Sequence, residues 1–168
     1  MLRRYASLPA AMLAMAVSAL SPSLSRAQTG ALSVTADSVA VMQTLEAMVG
    51  AMRTKNADGL RAVFHEHTRM TLLRPAPGGG TRVMVLTGEQ FVATATAPAN
   101  PTLDEPIRNI RMQLDGDLAT VWAEYQLRIG GKISHCVYDA FQLNRTTTGW
   151  KILNISDTFR QQGCGAMW

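Results

Sequence analysis

A histidine and an aspartate on one predicted strand are the residues of this sequence best suited to acid–base chemistry. Within residues 132–144, the odd positions include His135, Asp139 and Phe141. Side chains alternate between the faces of a strand, and this face is the more apolar, so we expect it to face the core. His135 and Asp139 then lie roughly 13 Å apart along the strand. That separation excludes a direct hydrogen bond, but the two groups could contact opposite ends of one bound molecule.

The surroundings of His135 and Asp139 determine whether these side chains can act as an acid or a base. A histidine or an aspartate against an apolar cavity has a shifted pKa and can serve as an acid or a base. The alternative is that His135 and Asp139 are satisfied structural groups near the cavity mouth or the end of the sheet. Both interpretations stay open at the level of sequence.

The preceding predicted strand, residues 119–129, supplies further pocket candidates. Val121 and Tyr125 share one of its faces with Ala123 and Leu127, and Tyr125 would bring a hydroxyl group if that face points inward. The predicted pocket lining is Val121, Tyr125, His135 and Phe141. The predicted catalytic candidates are Tyr125, His135 and Asp139.

The opposite face of the same two strands has a different composition. It carries Trp122, Glu124, Gln126, Tyr138 and Gln142. Aromatic and polar side chains together make an amphipathic outer surface, which suits a dimer interface. The outer face of the sheet is therefore the surface through which we expect that a homodimer could form.

Two cysteines, Cys136 and Cys164, are a second candidate for chemistry. An oxidising compartment would allow them to pair, and closing a loop of 27 intervening residues would contribute on the order of 3 kcal/mol. A hairpin that turns around Thr147 sets Cys136 opposite about residue 158, so the tail would have to fold back to form the bond. Two separate thiols are the alternative. A nucleophilic Cys136 is disfavoured because its side chain points away from the cavity and from His135.

The three histidines allow a metal hypothesis. In an extended segment His65 and His67 point to one side, and His135 could complete a set of three that resembles a catalytic zinc site. The alternative places His65 at the end of a helix, where a cation is common, and His67 in the connection to the next strand. We favour this alternative, and we predict neither a metal nor a cofactor.

The elements that must position these residues are helices first and strands later. Apolar residues recur at spacings of three and four over residues 37–53, which predicts an amphipathic helix. Asn56 or Asp58 can cap a second short helix through Phe64, and Thr87 can cap a third over residues 88–97. Residues 98–106 are predicted to be a proline-rich connection.

The predicted strands fall into a hairpin and a meander. Residues 69–74 and 81–86 form the hairpin, which turns at a run of three glycines. The meander consists of residues 107–114, 119–129, 132–144 and 150–160, and short turn signals separate its strands. The fold class is therefore α+β, with N-terminal helices packed on a strongly curved, mainly antiparallel sheet.

The first 27 residues have the pattern of a signal peptide. A basic start with Arg3 and Arg4 precedes an apolar stretch over residues 5–20, and Ser25 and Ala27 are the small residues expected before a cleavage site at Gln28. The apolar stretch is short for a membrane span of roughly 20 residues. We expect a secreted or periplasmic protein with a single domain, residues 28–168, and no membrane span after cleavage.

Loss of this leader also changes the charge balance. The formal charge falls from +4 to +1 because Arg3, Arg4 and Arg26 leave while all 12 acidic residues remain. The remaining basic residues are scattered among acids and form no basic patch. Nucleic acid is therefore not an expected partner.

Four local motifs carry a resemblance to a known superfamily. They are LRAVFH at residues 60–65, LDGDLATV at 114–121, DAFQLNR at 139–145, and the run from GWKI to DT at 149–158. Together with the order of the predicted helices and strands, these motifs resemble the nuclear transport factor 2-like superfamily. The sequence looks closest to exported SnoaL-like or lumazine-binding-like members of unknown function, and the resemblance covers essentially all of the mature chain, from about Val39 to Cys164.

The resemblance implies a cone-shaped barrel whose cavity lies between the curved sheet and the helices, often with dimerisation through the outer face. Ketosteroid isomerases of this superfamily use a tyrosine of the first helix and two aspartates. Here residues 37–53 contain no tyrosine and residues 69–74 no acid, so their mechanism does not carry over.

Two functions therefore remain open. The first is an exported protein that binds a small apolar or aromatic molecule without catalysis. The second is a small-molecule lyase or isomerase, dehydratase- or cyclase-like, that uses acid and base residues in the pocket.

Overall fold

The computed structural model describes residues 25–165, with side chains from residue 36 onward. Of the predicted leader, residues 1–24 lie outside the described part, and residues 25–27 belong to the first helix. No helix within the described part has the length and hydropathy that a membrane span requires.

Within residues 25–165, three helices precede or interrupt the early strands. They are α1 (Ser25–Thr54), α2 (Ala57–Val63) and α3 (Gly88–Thr96). The predicted stripe on α1 is buried, and it packs Val41, Leu45, Met48 and Met52 into the core. The helices thus cover one face of the sheet.

Side-chain caps fix where the two shorter helices begin. The Asn56 carboxamide oxygen accepts a hydrogen bond from the Gly59 backbone amide at 2.9 Å, so Asn56 rather than Asp58 caps α2. Thr87 and Gln90 form a reciprocal capping box at the start of α3. Each cap satisfies a backbone amide that the helix itself leaves unpaired, which stabilises the helix by about 1 kcal/mol.

In the described part of the chain, seven strands form one open, mixed and mostly antiparallel sheet. They are β1 (Phe64–Pro75), β2 (Thr81–Thr87), β3 (Leu103–Asp104), β4 (Ile107–Asp115), β5 (Leu118–Ile129), β6 (Lys132–Thr146) and β7 (Gly149–Asp157). The strand order is β2-β1-β7-β6-β5-β3, and β4 also pairs with β5. The pair β1–β7 is parallel. The predicted hairpin, meander and α+β class are confirmed.

Two stretches of the chain differ from the prediction. The connection over residues 98–106 contains the short strand β3. Strand β1 begins at Phe64 rather than at residue 69, so His65 and His67 lie in a strand and not at a helix end or in a connection. The pairing of β1 with β7 is irregular between Phe64 and Arg69, which explains why this segment lacks a clear alternation.

Strand alternation places most side chains on the expected face. Tyr125 on β5 is buried, as are His135, Asp139 and Phe141 on β6. The prediction for Gln126 was wrong. It is fully buried rather than part of the outer surface, because the C-terminal tail covers it and its carboxamide nitrogen donates a hydrogen bond to the Cys164 carbonyl at 2.9 Å.

A disulfide holds that tail against the sheet. Cys136 and Cys164 are bonded, with their Cα atoms 5.7 Å apart. Cys136 bridges to Arg160 rather than to residue 158. One residue of this difference comes from the turn, which pairs Thr146 with Gly149, and the other from the irregular pairing of β6 with β7 between Gln142 and Leu143. The tail folds back beyond Arg160, so the alternative of two separate thiols does not hold.

Candidate functional site

A cavity of about 200 Å³ lies between the helices and the inner face of the sheet. Its walls are mostly apolar and come from α1, α3, six strands and the connection between β3 and β4. The apolar lining consists of Met48, Met52, Met70, Leu72, Leu86, Phe91, Leu103, Leu127 and Ile155. The polar lining consists of Arg74, Thr94, Glu105, His135, Asp139 and Asp157. A few polar groups in an apolar enclosure is the usual composition of a small-molecule site.

Two aspartates face each other across neighbouring strands in this cavity. Asp139 on β6 and Asp157 on β7 are register partners, and such partners have Cβ atoms about 4.5 to 5.5 Å apart. Two carboxylates at that distance in an apolar environment repel each other. One of the two must therefore be compensated or protonated.

Arg74 pairs with one of the two aspartates, Asp157. Its guanidinium donates hydrogen bonds to both carboxylate oxygens of Asp157, at 2.5 and 2.6 Å, and the Leu73 backbone amide also donates to Asp157. A bidentate pair of this kind is among the strongest charge-assisted contacts in proteins. Asp157 is thus paired with the guanidinium, and Asp139 is left without a matching cation among the lining residues.

Asp139 is accordingly the most perturbed acid of the site. Its side chain is 2% exposed, and its Oδ2 atom has no hydrogen-bond partner in the described part of the chain. Burial, together with the charges of Glu105 and Asp157, raises the pKa of Asp139 well above its usual range. The neutral acid, which can donate a proton, is therefore the favoured form.

Glu105 lies in the short connection between β3 and β4 and faces the same cluster. Burial, assisted by the charge of Asp157, raises the pKa of Glu105 to about 8. The cavity thus contains two carboxyl groups that resist ionisation beside one fixed ion pair. Acids with strongly perturbed pKa values are typical of functional sites.

His135 completes the polar side of the cavity as a neutral imidazole. Its side chain is 6% exposed, its Nδ1 atom lies 3.0 Å from the Ser134 hydroxyl, and its ring packs against Tyr125 and Phe159. Burial, together with the charge of Arg74, lowers the pKa of His135 to about 4. At neutral pH the ring can accept a proton only at a high energetic cost.

The structure separates the predicted site residues into two groups. His135 and Asp139 line the cavity, whereas Val121, Tyr125 and Phe141 are buried in the core and are not among its lining residues. The Tyr125 hydroxyl is engaged elsewhere, because it donates a hydrogen bond to the Thr158 carbonyl at 2.6 Å. Catalytic and binding roles for all five residues stay predictions.

Sequence reasoning missed three charged residues of the cavity, Arg74, Glu105 and Asp157. Arg74 could have been found, since it alternates in phase with the apolar Met70 and Leu72 on β1. Asp157 and Glu105 gave no such signal, because the first depends on the register of β7 and the second lies outside regular strands.

The three histidines are not brought together. His65 and His67 lie side by side on β1 at the surface, with ring centroids 5.2 Å apart, whereas His135 lines the cavity. Among the described side chains, no group of three or more His, Cys, Asp or Glu is arranged to hold a metal ion. The hypothesis of a three-histidine metal site therefore has no geometric basis in residues 36–165.

Comparisons with known proteins show which solved structures have a similar fold. No known family profile matches the chain, and no curated protein matches it. Solved structures do match. One is an NTF2-like protein of unknown function from Silicibacter pomeroyi, with a TM-score of 0.57 and 16% identity, over 76% of this chain and 98% of that one.

Two further structures have names that mention an activity. One is a candidate dehydratase of the NTF2-like family from Streptomyces avermitilis, with a TM-score of 0.55 and 16% identity, over 72% of this chain and 94% of that one. The other is a candidate aromatic ring hydroxylase from Novosphingobium aromaticivorans, with a TM-score of 0.57 and 21% identity, over 76% of this chain and 91% of that one. At these identities the likeness concerns the fold alone.

Proposed function

We propose that this chain, which has the nuclear transport factor 2-like fold, is an exported protein that binds a small, mainly apolar molecule in the cavity between its helices and its sheet. One observation carries the proposal. The cavity has apolar walls and contains a buried carboxyl oxygen, Oδ2 of Asp139, that has no partner in the described part of the chain. Buried polar atoms are rarely left unpaired, and a bound ligand would supply the missing partner.

The size of the cavity limits the ligand. An engineered apolar cavity of about 150 Å³ is known to bind benzene, and the cavity here has about 200 Å³. A single ring with one small substituent would fill it. Asp139 and Glu105 would orient the substituent, while Phe91 and the methionines of α1 would contact the ring.

A cavity-filling substitution tests the proposal. Leu72→Phe places a larger side chain in the cavity, whereas Leu73→Phe makes the same change on the opposite face of β1. We expect toluene to raise the melting temperature of the wild type and of Leu73→Phe, but not that of Leu72→Phe. Equal responses of the two variants would contradict binding at this cavity.

Export is part of the proposal and rests on the leader pattern and on the disulfide. Disulfides persist mainly outside the cytosol, and Cys136 and Cys164 are bonded. We expect expression of the full chain to yield a processed product that begins at Gln28 in the cell's exported fraction. Mass spectrometry of that fraction measures the cleavage site, and an unprocessed chain retained in the cytosol would contradict export.

Homodimerisation is a separate proposal about the outer face of the sheet. Trp122 on this face is 46% exposed and stacks on Tyr138 with ring centroids 5.1 Å apart. A stacked aromatic pair with one exposed ring suits the centre of an interface. Trp122→Arg is expected to shift a dimer to a monomer in sedimentation velocity, and an unchanged sedimentation coefficient would contradict this interface.

An acid–base enzyme is the second candidate, and the raised pKa of Asp139 favours it. A buried acid held protonated at neutral pH can donate a proton, as a lyase or isomerase requires. Deuterium exchange next to the carbonyl of cyclohexanone, followed by NMR in D₂O, measures this capacity. We expect faster exchange with the wild type than with Asp139→Asn. Equal rates would contradict the enzyme and leave the binding proposal intact.

A further inference from the structure

We propose that the ligand of this cavity carries a protonated amine, and that the Asp139 carboxylate is the group that pairs with it. The inference rests on the proposed function, since it names the chemical class of ligand for the same site. Its basis is the arrangement of charged groups around the cavity.

The cavity has more carboxyl groups than cations. Glu105, Asp139 and Asp157 line it, and Arg74 is the one arginine or lysine among the lining residues. The guanidinium of Arg74 is already committed to Asp157 through two short hydrogen bonds. If all three carboxyl groups were ionised, the lining would carry a net charge of −2, because Arg74 balances only one of them.

The other titratable groups near the cluster do not make up this deficit. His135 on β6 is neutral, since its pKa is lowered to about 4, and the Tyr125 hydroxyl on β5 donates to the Thr158 carbonyl. Asp104, beside Glu105, adds another carboxylate, and it pairs outside the cavity with Arg53 and Arg128. No described side chain around the cluster thus provides the missing cation.

The unpartnered oxygen of Asp139 is an independent observation that points to a ligand. The side chain is nine-tenths or more buried, lines the cavity and leaves Oδ2 without a hydrogen bond among the described residues. An ammonium group brings both N–H donors and a positive charge to this position. It would allow Asp139 to ionise beside Asp157, which a neutral ligand would not.

The apolar walls suit the organic part of such a ligand. The ring of Phe91 and the thioethers of Met48 and Met52 line the same cavity. Aromatic faces attract cations, and methionine side chains adapt to irregular apolar groups. An aminomethyl group on a single ring, as in benzylamine, matches both the volume and the polar end of the cavity.

Three probes of nearly equal size test the inference. Benzylamine is a cation at neutral pH, while benzyl alcohol and toluene are its neutral counterparts, and each is titrated calorimetrically into the full chain at pH 7. We expect benzylamine to bind about tenfold to a hundredfold more tightly than benzyl alcohol. Its binding should also release close to one proton, measured from the heats in buffers of different ionisation enthalpy, because Asp139 ionises.

The outcomes distinguish this inference from the proposed function. If benzyl alcohol or toluene binds as tightly as benzylamine, the amine inference fails and the binding proposal stands. If none of the three binds at millimolar concentration, the proposed function fails and the inference fails with it. The wild-type series alone decides between these results.

A matched pair of variants tests the role of Asp139. In Asp139→Asn the preference for benzylamine and the proton release should disappear, while toluene affinity stays within about twofold of the wild type. Asp115→Asn makes the same change at the exposed end of β4 and should retain both properties. A preference for benzylamine that survives in Asp139→Asn would overturn the assignment of Asp139.

Discussion

Replacing His135 by glutamine is expected to make the protein less sensitive to acid. In the folded chain burial and Arg74 lower the pKa of His135 from 6.5 to about 4. The unfolded chain binds the proton more tightly than the folded chain, so the stability that the neutral ring maintains is lost as the pH falls through this interval. Glutamine cannot be protonated, and it removes this loss.

The size of the effect follows from the shift in pKa. A change of about 2.5 pKa units corresponds to about 3 kcal/mol, since one unit is worth about 1.4 kcal/mol. Most of it is lost by pH 4.5, which lies above the pKa of the folded state. The side chain is 6% exposed, so solvent screens the interaction little.

Urea unfolding at pH 7.5 and at pH 4.5 measures this effect. Between the two pH values, the free energy of unfolding of His135→Gln should rise by about 2 to 3 kcal/mol relative to the wild type. The raised pKa values of Glu105 and Asp139 act in the opposite direction, because folded-state protonation stabilises the chain as the pH falls, but both groups are present in both proteins.

The exposed His67 provides the control for this comparison. His67→Gln should follow the wild type at both pH values within about 0.5 kcal/mol, as is usual for a surface substitution. A difference between His135→Gln and the wild type that does not change with pH would refute the assignment of His135 as a neutral buried ring.

Two further predictions concern the contacts that hold the site. Arg74→Met should lower the free energy of unfolding by about 3 to 5 kcal/mol at pH 7, because Asp157 is left buried without its cation. The control Arg82→Met, on the exposed strand β2, should change the free energy of unfolding by less than about 0.5 kcal/mol. Equal losses of the two variants in urea unfolding would contradict the buried ion pair. Reduction of the bond between Cys136 and Cys164 should cost about 3 kcal/mol in the same assay, and an unchanged midpoint after reduction would show that the bond does not constrain the chain.

The helices and long strands of this chain were predictable because their signals are local. The stripe on α1 follows directly from spacings of three and four, and the caps Asn56 and Thr87 stand where the helices begin. The first residues of β1 were not predictable in this way. Polar residues there pass through an irregular pairing with β7, so neither helical nor strand periodicity describes them.

The candidate site was only half predictable, because half of it depends on register. Alternation along β6 is sufficient to place His135 and Asp139 on the inner face. A hairpin that turns around Thr147 sets Asp139 opposite Ile155. The observed turn pairs Thr146 with Gly149, which moves the partner of Asp139 by one residue, and the irregularity beside Gln142 moves it by one more, to Asp157. The position of the turn and a bulge of one residue thus create the pair of aspartates together, and no local pattern predicts the bulge.

Contacts between distant parts of the chain explain the remaining differences between the predicted and the observed positions of side chains. Gln126 has the parity of an exposed residue, and it is buried because the disulfide draws the tail across it. Glu105 joins the cluster from a connection between strands, where side-chain direction has no period. Such positions are decided by tertiary packing, which sequence spacing does not encode.

The methionine methyl groups allow the most direct test that the cavity binds a ligand. Met48, Met52 and Met70 line the cavity, whereas Met42 on α1 and Met112 on β4 are not among its lining residues. With methyl-labelled methionine, titration with toluene should shift the NMR signals of the first three residues in a saturable manner and leave the other two unchanged. Shifts that are absent, or equal at all five methionines, would contradict a binding site in this cavity.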